Sequence, residues 1–328
     1  MPRKDRRRGD RHEELLSQIT SAAPESTPFA DRRVLRRFIG EYYRNLSLDD
    51  VSAFSVEDLA FAAIAHAKQG RTRKPGEHKL RVYNPTLKRD GWESSNTIVE
   101  LVHDNMPFLV DSLSMTLDRT GYAIRLTVHP LIRCVRTSGG RLKDVKPRKS
   151  KQGTVDSFIR LEIRKESRAD RLRTLAEEIE KTLTDVRAAV KDWQPMQDRM
   201  QSVIAQLEAQ QHADPDRKRE SLELLRWLAA ERFTFLGYRQ YRLNKKKGEL
   251  ELTPIRGSAL GLNTVGNRRG SAHVLSPAMQ RYRRSSELLL ITKANSRSTV
   301  HRPSYLDYLG VKAFNEKGEA VGEHRFIG

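Results

Sequence analysis

Apolar residues between Asp31 and Gly70 recur every three or four positions, which is the spacing of one face of a helix. The stretch VLRRFIGEYYRNL after Asp31 predicts a first helix. Ser55 followed by Asp58 is a capping signal, and it predicts a second helix, VEDLAFAAIAHAKQ, that ends at Gly70. Residues 1–27 have few apolar positions, and we interpret them as a mostly disordered basic arm. Residues 28–94 are therefore predicted to be a helical lead-in followed by a linker.

The pattern changes between residues 95 and 192. Residues 97–103 form a short, β-branched apolar run of strand length, and Pro107 then falls in the first turn of an amphipathic helix. Residues 122–128 and 159–163 alternate between apolar and polar, as half-buried strands do, and a long helix with an apolar stripe follows. The order β-α-β-β-α is the ferredoxin-like order without its final strand. We predict one such domain here, whose fourth strand is borrowed, displaced or absent.

Weaker copies of this pattern follow. Residues 193–285 read as a helical segment and a second unit, with strands FTFLGYRQYRL and LELTPI. Residues 286–328 begin a third unit with LLLITK and a hairpin, and this unit is expected to be truncated, because an open edge strand is an unfavourable place to stop. The predicted fold class is α+β, with tandem ferredoxin-like units and antiparallel sheets after a helical lead-in.

Composition restricts the function. The chain has 328 residues and one cysteine, Cys134, so it cannot form an intramolecular disulfide, and a reducing compartment is expected. It has neither a secretory leader nor a membrane-length apolar run, which together indicate a cytoplasmic protein and no membrane partner. The net charge of +19 keeps a basic nucleic-acid-binding protein with an α+β core as an alternative. That charge is scattered, however, and the aromatic and zinc motifs of nucleic-acid modules are absent.

The turn DNMPFLVDS is the first candidate site. A helix N-terminus offers backbone N–H groups and a partial positive charge, which suit a carboxylate. A turn that holds a ligand closely would be expected to contain glycine, whereas phenylalanine stands here. The turn is therefore either an effector-binding site or a structural cap and interface. Its candidate residues are Asp104, Asn105, Met106, Pro107, Phe108 and Asp111.

Other polar residues are candidates for binding an effector or a neighbouring domain. His129 lies near the predicted sheet, and Arg297, His301 and Arg302 lie in the polar segment TKANSRSTVHRPSYLDYLGVK. The sequence contains no dinucleotide, phosphate-loop or nucleophile-elbow motif and no helical histidine pair for zinc, so it indicates neither a catalytic nor a metal site.

These stretches also resemble a known family, the large-subunit bacterial NAD-specific glutamate dehydrogenases, in its N-terminal region. The resemblance covers the chain from about residue 83 to its last residue. It is carried by YNP, GW, DNMPFLVDS, HP, FLGYR, TKANSRSTVHRPSYLDYLGVK and GEHRFIG, in family order.

The resemblance implies ACT-type domains, ferredoxin-like modules associated with amino-acid sensing. It implies that the catalytic domain and its NAD site lie downstream in the same polypeptide, with no cofactor in this segment. The parent enzyme would convert L-glutamate, NAD and water into 2-oxoglutarate, ammonium and NADH. It further implies a homo-oligomer and an amino-acid effector, although Phe108 stands where effector-binding ACT domains usually carry glycine. That departure favours a packing role for the turn.

Overall fold

A computed structural model of the chain describes residues 3–25, 27–29, 31–46, 54–211, 213–246, 249–266 and 270–328. The chain forms two compact units, Met1–Glu180 and Lys181–Gly328. None of the described helices combines the length and the apolar character that crossing a membrane requires.

The first unit begins with the helical lead-in, which consists of α1 (Arg3–Ala22), α2 (Arg32–Tyr42) and α3 (Val56–Gln69). The Ser55 side chain accepts a hydrogen bond from the Asp58 N–H and Gly70 is the C-cap of α3, so the predicted helix and its ends are confirmed.

The prediction of a disordered arm over residues 1–27 is wrong for most of that segment, which forms α1. Ile19 is fully buried, and Leu15 and Leu16 pack against the same core. The few apolar positions of α1 are enough to fix it, because they lie on one helical face and α2 and α3 cover that face.

The lead-in is followed by an antiparallel sheet and two helices, α4 (Leu109–Arg119) and α5 (Ala169–Lys191). The strands are β1 (Lys79–Tyr83), β2 (Asn96–Asp104), β3 (Ile124–Val128), β4 (Leu131–Arg136), β5 (Leu142–Lys146) and β6 (Thr154–Arg164). Their order is β1-β2-β6-β4-β5, and β3 pairs with the other end of β6. Together with the second sheet described below, this confirms the predicted α+β class.

The position of the missing fourth strand is filled from upstream. β1 lies antiparallel to β2, with Lys79 opposite Val102 and Tyr83 opposite Ile98. In the ferredoxin-like order the last strand occupies this place, beside the first strand. Here the strand comes from residues that the sequence assigned to a linker, so the segment 28–94 contains part of the sheet.

Both faces of this sheet are covered. On one face Val102 and Phe158 are neighbours across β2 and β6, and they share one core with Phe38 of α2. On the other face His103 stacks on His78, which hydrogen-bonds Glu180 of α5 at 2.7 Å. This double burial explains why apolar residues occupy adjacent positions of β2, at 98–99 and 101–102, instead of alternating with polar ones.

The second unit has helices α6 (Trp193–Ala209), α7 (Pro215–Trp227) and α8 (Pro277–Arg284), and a π-helical turn at Leu228–Arg232. Its strands are β7 (Gly237–Lys246), β8 (Glu249–Pro254), β9 (Leu260–Gly261), β10 (His273–Val274), β11 (Leu289–Arg297), β12 (Tyr305–Phe314) and β13 (Ala320–Ile327). They form one antiparallel sheet in the order β10-β8-β7-β13-β12-β11, and β9 pairs with β7.

Residues 286–328 therefore do not begin a third unit. β13 is an inner strand, because it pairs with β12 on one side and with β7 on the other. Val311 and Phe326 share a core with Tyr238 of β7 and with α6 and α7. The sequence predicted most of these strands, but periodicity does not show which strands pair when they are distant in the chain.

Candidate functional site

The carboxylate of Asp104, at the end of β2, is already engaged. It accepts hydrogen bonds from Arg73 Nη1 at 2.7 Å and from the Gly76 backbone N–H at 2.8 Å. Burial acts to raise the pKa of Asp104, but these two donors outweigh it and lower the pKa below its usual value. Asp104 thus holds the loop that follows α3, and no side chain caps the start of α4 at Phe108.

Phe108 adopts the left-handed backbone conformation with φ of 69°. This is the region where glycine is favoured, because a Cβ there approaches neighbouring backbone atoms. Met106 is half-buried, and Pro107 and Asp111 are exposed beside it. A phenyl ring therefore stands where a ligand-cradling turn would leave open space.

Asn105 lines a small cavity of about 200 Å³ together with Leu131, Arg133, Arg148 and Val155. Arg133 is held by its own bonds, from Nη1 to the Gly153 carbonyl oxygen at 3.0 Å and from Nε to the Arg148 carbonyl oxygen at 3.3 Å.

His129 lies where β3 gives way to β4, and its Nε2 is 2.8 Å from Ser157 Oγ. Burial lowers its pKa. Ser157 in turn stands opposite His103 in the sheet, so the two histidines lie on the same side of the unit, with a serine between them.

Sequence reasoning missed a buried ion network beside the turn. Arg73 is 2% exposed and pairs with both Asp104 and Asp156. Asp156 is fully buried and also pairs with Arg136 at 2.6 Å. Arg73, in the basic run RTRK at residues 71–74, is thus a buried structural cation. The sequence feature that could have revealed this network is the charged residue Asp156, which comes just before an apolar strand pattern.

A second buried charge lies on the face of the sheet that carries the lead-in. Glu100 of β2 is fully buried opposite Arg160 of β6, and Arg160 donates to Glu162 at 2.6 Å. Neither Glu100 carboxylate oxygen has a hydrogen-bond partner among the described atoms. Burial raises the pKa of Glu100 to about 7, and the cationic Arg160 offsets only part of that effect.

The second group of predicted residues lies in the second unit and gathers around a cavity of about 310 Å³. His301 and Arg302 line it, together with Ser298 and Ser304. Arg297 does not; it is exposed on β11, and its guanidinium lies 5.1 Å from the centre of the Tyr305 ring.

Part of the lining of this cavity comes from the end of the turn Leu228–Arg232 and the residue after it, which sequence reasoning did not identify. Glu231, Arg232 and Phe233 line it. Glu231 and His301, both non-glycine residues, have left-handed backbones with φ of 60° and 74°. Strained backbone conformations concentrate at functional sites, because the surrounding structure must hold them in place.

The 298–304 turn is fixed by its own hydrogen bonds. Ser298 N–H donates to the Ser304 carbonyl oxygen at 2.8 Å, and Ser298 Oγ donates to the Val300 carbonyl oxygen at 2.6 Å. Thr299 Oγ1 donates to Asp185 at 2.6 Å, in the part of α5 that belongs to the second unit. The turn therefore presents His301 and Arg302 from a fixed support, in a cavity that Glu231, Arg232 and Asp307 also line.

Most of the predicted residues thus fall into two places, the turn at the end of β2 and the cavity around Arg302, whereas His129 and Arg297 lie outside both. Residues 38–179 match the model of the family described as "Glutamate dehydrogenase, ACT1 domain".

Several curated proteins are similar to the chain along most of its length. It is 30% identical over 294 residues to the NAD-specific glutamate dehydrogenase of Halomonas elongata, which covers 88% of this chain and 18% of that protein. It is 31% identical over 313 residues to the Pseudomonas aeruginosa protein of the same name, covering 94% of this chain and 19% of that protein. A Mycobacterium tuberculosis protein of that name is 24% identical over 273 residues, 80% of this chain and 15% of that protein.

The chain spans less than a fifth of the length of these relatives. The matched ACT1 residues take in α3, the whole first sheet and the start of α5, so the family match lies within the first folded unit. The resemblance stated from the sequence is confirmed: residues 38–179 match the ACT1 domain of glutamate dehydrogenases, and the chain is similar along most of its length to NAD-specific glutamate dehydrogenases.

Proposed function

We propose that this chain is a regulatory and assembly segment of an NAD-dependent glutamate dehydrogenase. The catalytic domain, with its bound NAD, belongs to the rest of the same polypeptide and oxidises L-glutamate to 2-oxoglutarate and ammonium. The names of the relatives support this proposal, because they are NAD-specific glutamate dehydrogenases. The chain spans less than a fifth of their length, which leaves ample length for a separate catalytic domain.

The observation that carries the regulatory part is the charged cavity around Arg302. An α-amino acid bears a carboxylate and an ammonium group a short distance apart. Arg232 and Arg302 suit the carboxylate, because guanidinium groups form charge-assisted bonds to it, and Glu231 suits the ammonium. A volume of about 310 Å³ lies within the range of small-molecule sites. We therefore assign the amino-acid effector to this cavity.

The turn at Asp104–Phe108 was the first place expected to bind an effector, and its contacts favour a packing role. Asp104 is held by Arg73 and Gly76, and Phe108 occupies the glycine position. We propose that this turn stabilises the ACT1 fold, and that the sheets contribute to a homo-oligomer, since ACT-type modules commonly pair through their sheets.

Calorimetry of the purified chain against the amino acids tests the effector assignment. Arg302→Gln and Glu231→Gln should each weaken binding by about 10- to 100-fold, the range for a lost charge-assisted hydrogen bond. Arg297→Gln is the matched control, because it removes the same charge from an exposed residue outside the cavity. No heat from any amino acid, or equal losses in Arg297→Gln and Arg302→Gln, would contradict the assignment.

Catalysis is tested separately. The purified chain, supplied with L-glutamate and NAD, is expected to produce no NADH. NADH formation that co-purifies with the chain would show that the segment itself holds an active site.

A further inference from the structure

The second unit contains another cavity, of about 350 Å³, which shares no lining residue with the cavity around Arg302. Its polar lining includes Thr292 of β11, Tyr308 of β12 and Arg325 of β13. Among the described residues that line it, none is acidic. The apolar side chains of the lining come from β10, the segment before α8, α8 itself and β11, and they are Val274, Leu275, Met279 and Leu290.

The guanidinium group of Arg325 is held in place by its neighbours. Its Nε donates to Glu323 Oε1 at 3.0 Å, and its Cζ lies 4.0 Å from the ring centre of Tyr241 and 4.9 Å from that of Tyr308. The Tyr308 hydroxyl donates to the same carboxylate oxygen. Gly310 permits this arrangement, because a Cβ there would stand 2.9 Å from the Tyr308 ring and 3.2 Å from the carboxyl carbon of Glu323. A planar group fixed in this way loses little freedom when it binds a ligand.

The two terminal nitrogens of Arg325, Nη1 and Nη2, remain available. They have no hydrogen-bond partner among the described atoms, and they do not belong to the unpaired atoms that solvent cannot reach. The side chain as a whole is 18% exposed, and it lines the cavity. An occupant of the cavity would therefore meet two nitrogens that carry hydrogen atoms and no partner.

The charge balance around Arg325 favours an anion. Glu323 is fully buried, and it pairs with both Arg283 and Arg325. One carboxylate cannot neutralise two guanidinium groups, so one positive charge is left over. The side chain of Arg283 is only 1% exposed, whereas Arg325 reaches the cavity. Since a charge interacts more strongly where water is largely excluded, an anion in the cavity would gain from this excess charge.

We propose that this cavity binds a small monocarboxylate that has an aliphatic chain and no ammonium group. The carboxylate accepts hydrogen bonds from Nη1 and Nη2 of Arg325, because a guanidinium fork matches two carboxylate oxygens. The aliphatic chain packs on Leu275, Met279 and Leu290. An amino acid fits less well, since no acidic residue of the described lining can pair with its ammonium group. This inference does not depend on the effector assignment, because the two cavities are formed by different residues.

A suitable probe is 4-methylpentanoate. Its uncharged counterpart is 4-methylpentanamide, and L-leucine is the same molecule with an added ammonium group. In the complete chain with ¹³C-labelled methionine methyl groups, 4-methylpentanoate should shift the Met279 resonance with a dissociation constant on the order of 1 mM, a scale appropriate to so small a ligand. The amide and L-leucine should each bind roughly 10-fold more weakly. The resonance is assigned by its loss in Met279→Leu, which keeps the side-chain volume.

Arg325→Gln should weaken the binding of 4-methylpentanoate by about 10- to 100-fold. Because this variant also deprives Glu323 of a donor, a second pair of variants separates binding from folding. Thr292→Trp places a bulky ring on an exposed lining residue of β11, and Ile291→Trp places the same ring on the exposed residue beside it, outside the lining. The first should abolish the shift and the second should leave it unchanged. The proposal is overturned if 4-methylpentanoate causes no shift, if the amide binds equally well, or if both tryptophan variants behave alike.

Discussion

The substitution Phe38→Ala tests whether the helical lead-in and the ACT1 sheet share one core. Phe38 lies on α2 and is fully buried, and its ring is 5.5 Å from the Phe158 ring of β6 in an edge-to-face arrangement. It also packs on Phe29 at 5.1 Å and on Tyr42 at 5.5 Å. The side chain thus connects helix to helix and helix to sheet.

Truncating a buried phenylalanine to alanine costs about 3–5 kcal/mol, because apolar contacts are lost and a cavity remains. With a urea dependence of about 2 kcal/mol per molar, the unfolding midpoint should fall by roughly 1.5–2.5 M. Phe38→Leu keeps most of the volume and should cost less than about 1.5 kcal/mol, a shift below roughly 0.8 M.

Tryptophan fluorescence during urea unfolding reports the unfolding of the sheet and not merely that of the lead-in. Trp92 is 3% exposed and packs on Tyr83 of β1 and Ile98 of β2, whereas Trp193 and Trp227 of the second unit are exposed. Leu87→Ala, at a residue that is 63% exposed, is the control and should leave the midpoint unchanged. If the Trp92 transition in Phe38→Ala coincides with that of the unmodified chain, the lead-in and the sheet unfold independently and the shared core is refuted.

Three further predictions concern buried charge and backbone conformation. The pKa of Glu100 is raised to about 7 on folding, so the contribution of this residue to the free energy of unfolding is fully present below its unfolded pKa and is lost as pH rises through about 7. Glu100→Gln should remove this loss and be roughly 3 kcal/mol more stable than the unmodified chain at pH 8 in urea titrations. Equal pH profiles of the two proteins would contradict this prediction. The pKa of Asp104 is lowered on folding, so the contribution of its carboxylate to the free energy of unfolding is present above its unfolded pKa and is lost as pH falls through its folded pKa. The stability difference between the unmodified chain and Asp104→Asn should therefore shrink in acid. A constant difference from pH 7 to acid would exclude this role. Phe108→Gly and Phe108→Ala both remove the ring, but only glycine tolerates φ of 69° without strain. The glycine variant should therefore be more stable than the alanine variant by about 1 kcal/mol. Equal stability of the two variants would show that the turn is unstrained.

The sequence predicted the elements of this protein better than their partners. Ser55 and Gly70 delimit α3 as expected, because caps are local signals between residues a few positions apart. The role of β1 beside β2 was missed, since pairing of Lys79 with Val102 depends on contacts 23 residues apart that leave no periodic trace. The pairing of β13 with β7 was missed for the same reason.

The candidate site shows the same limit. Arg302 and His301 were found because polar residues crowd a segment between strands, but Glu231 and Arg232, about 70 residues earlier in the chain, join them only through folding. Arg73 looked like one of many surface arginines, and only its burial against Asp156 shows otherwise.

The most direct test of the proposed role uses the longer polypeptide that contains this segment and measures NADH formation from L-glutamate with and without the amino acid that binds the purified chain. We expect the amino acid to change the rate in the unmodified enzyme, and we expect Arg302→Gln to bring the ratio of the two rates close to one, because binding and activity are coupled. A ratio that is the same in Arg302→Gln as in the unmodified enzyme would contradict a regulatory role for this cavity.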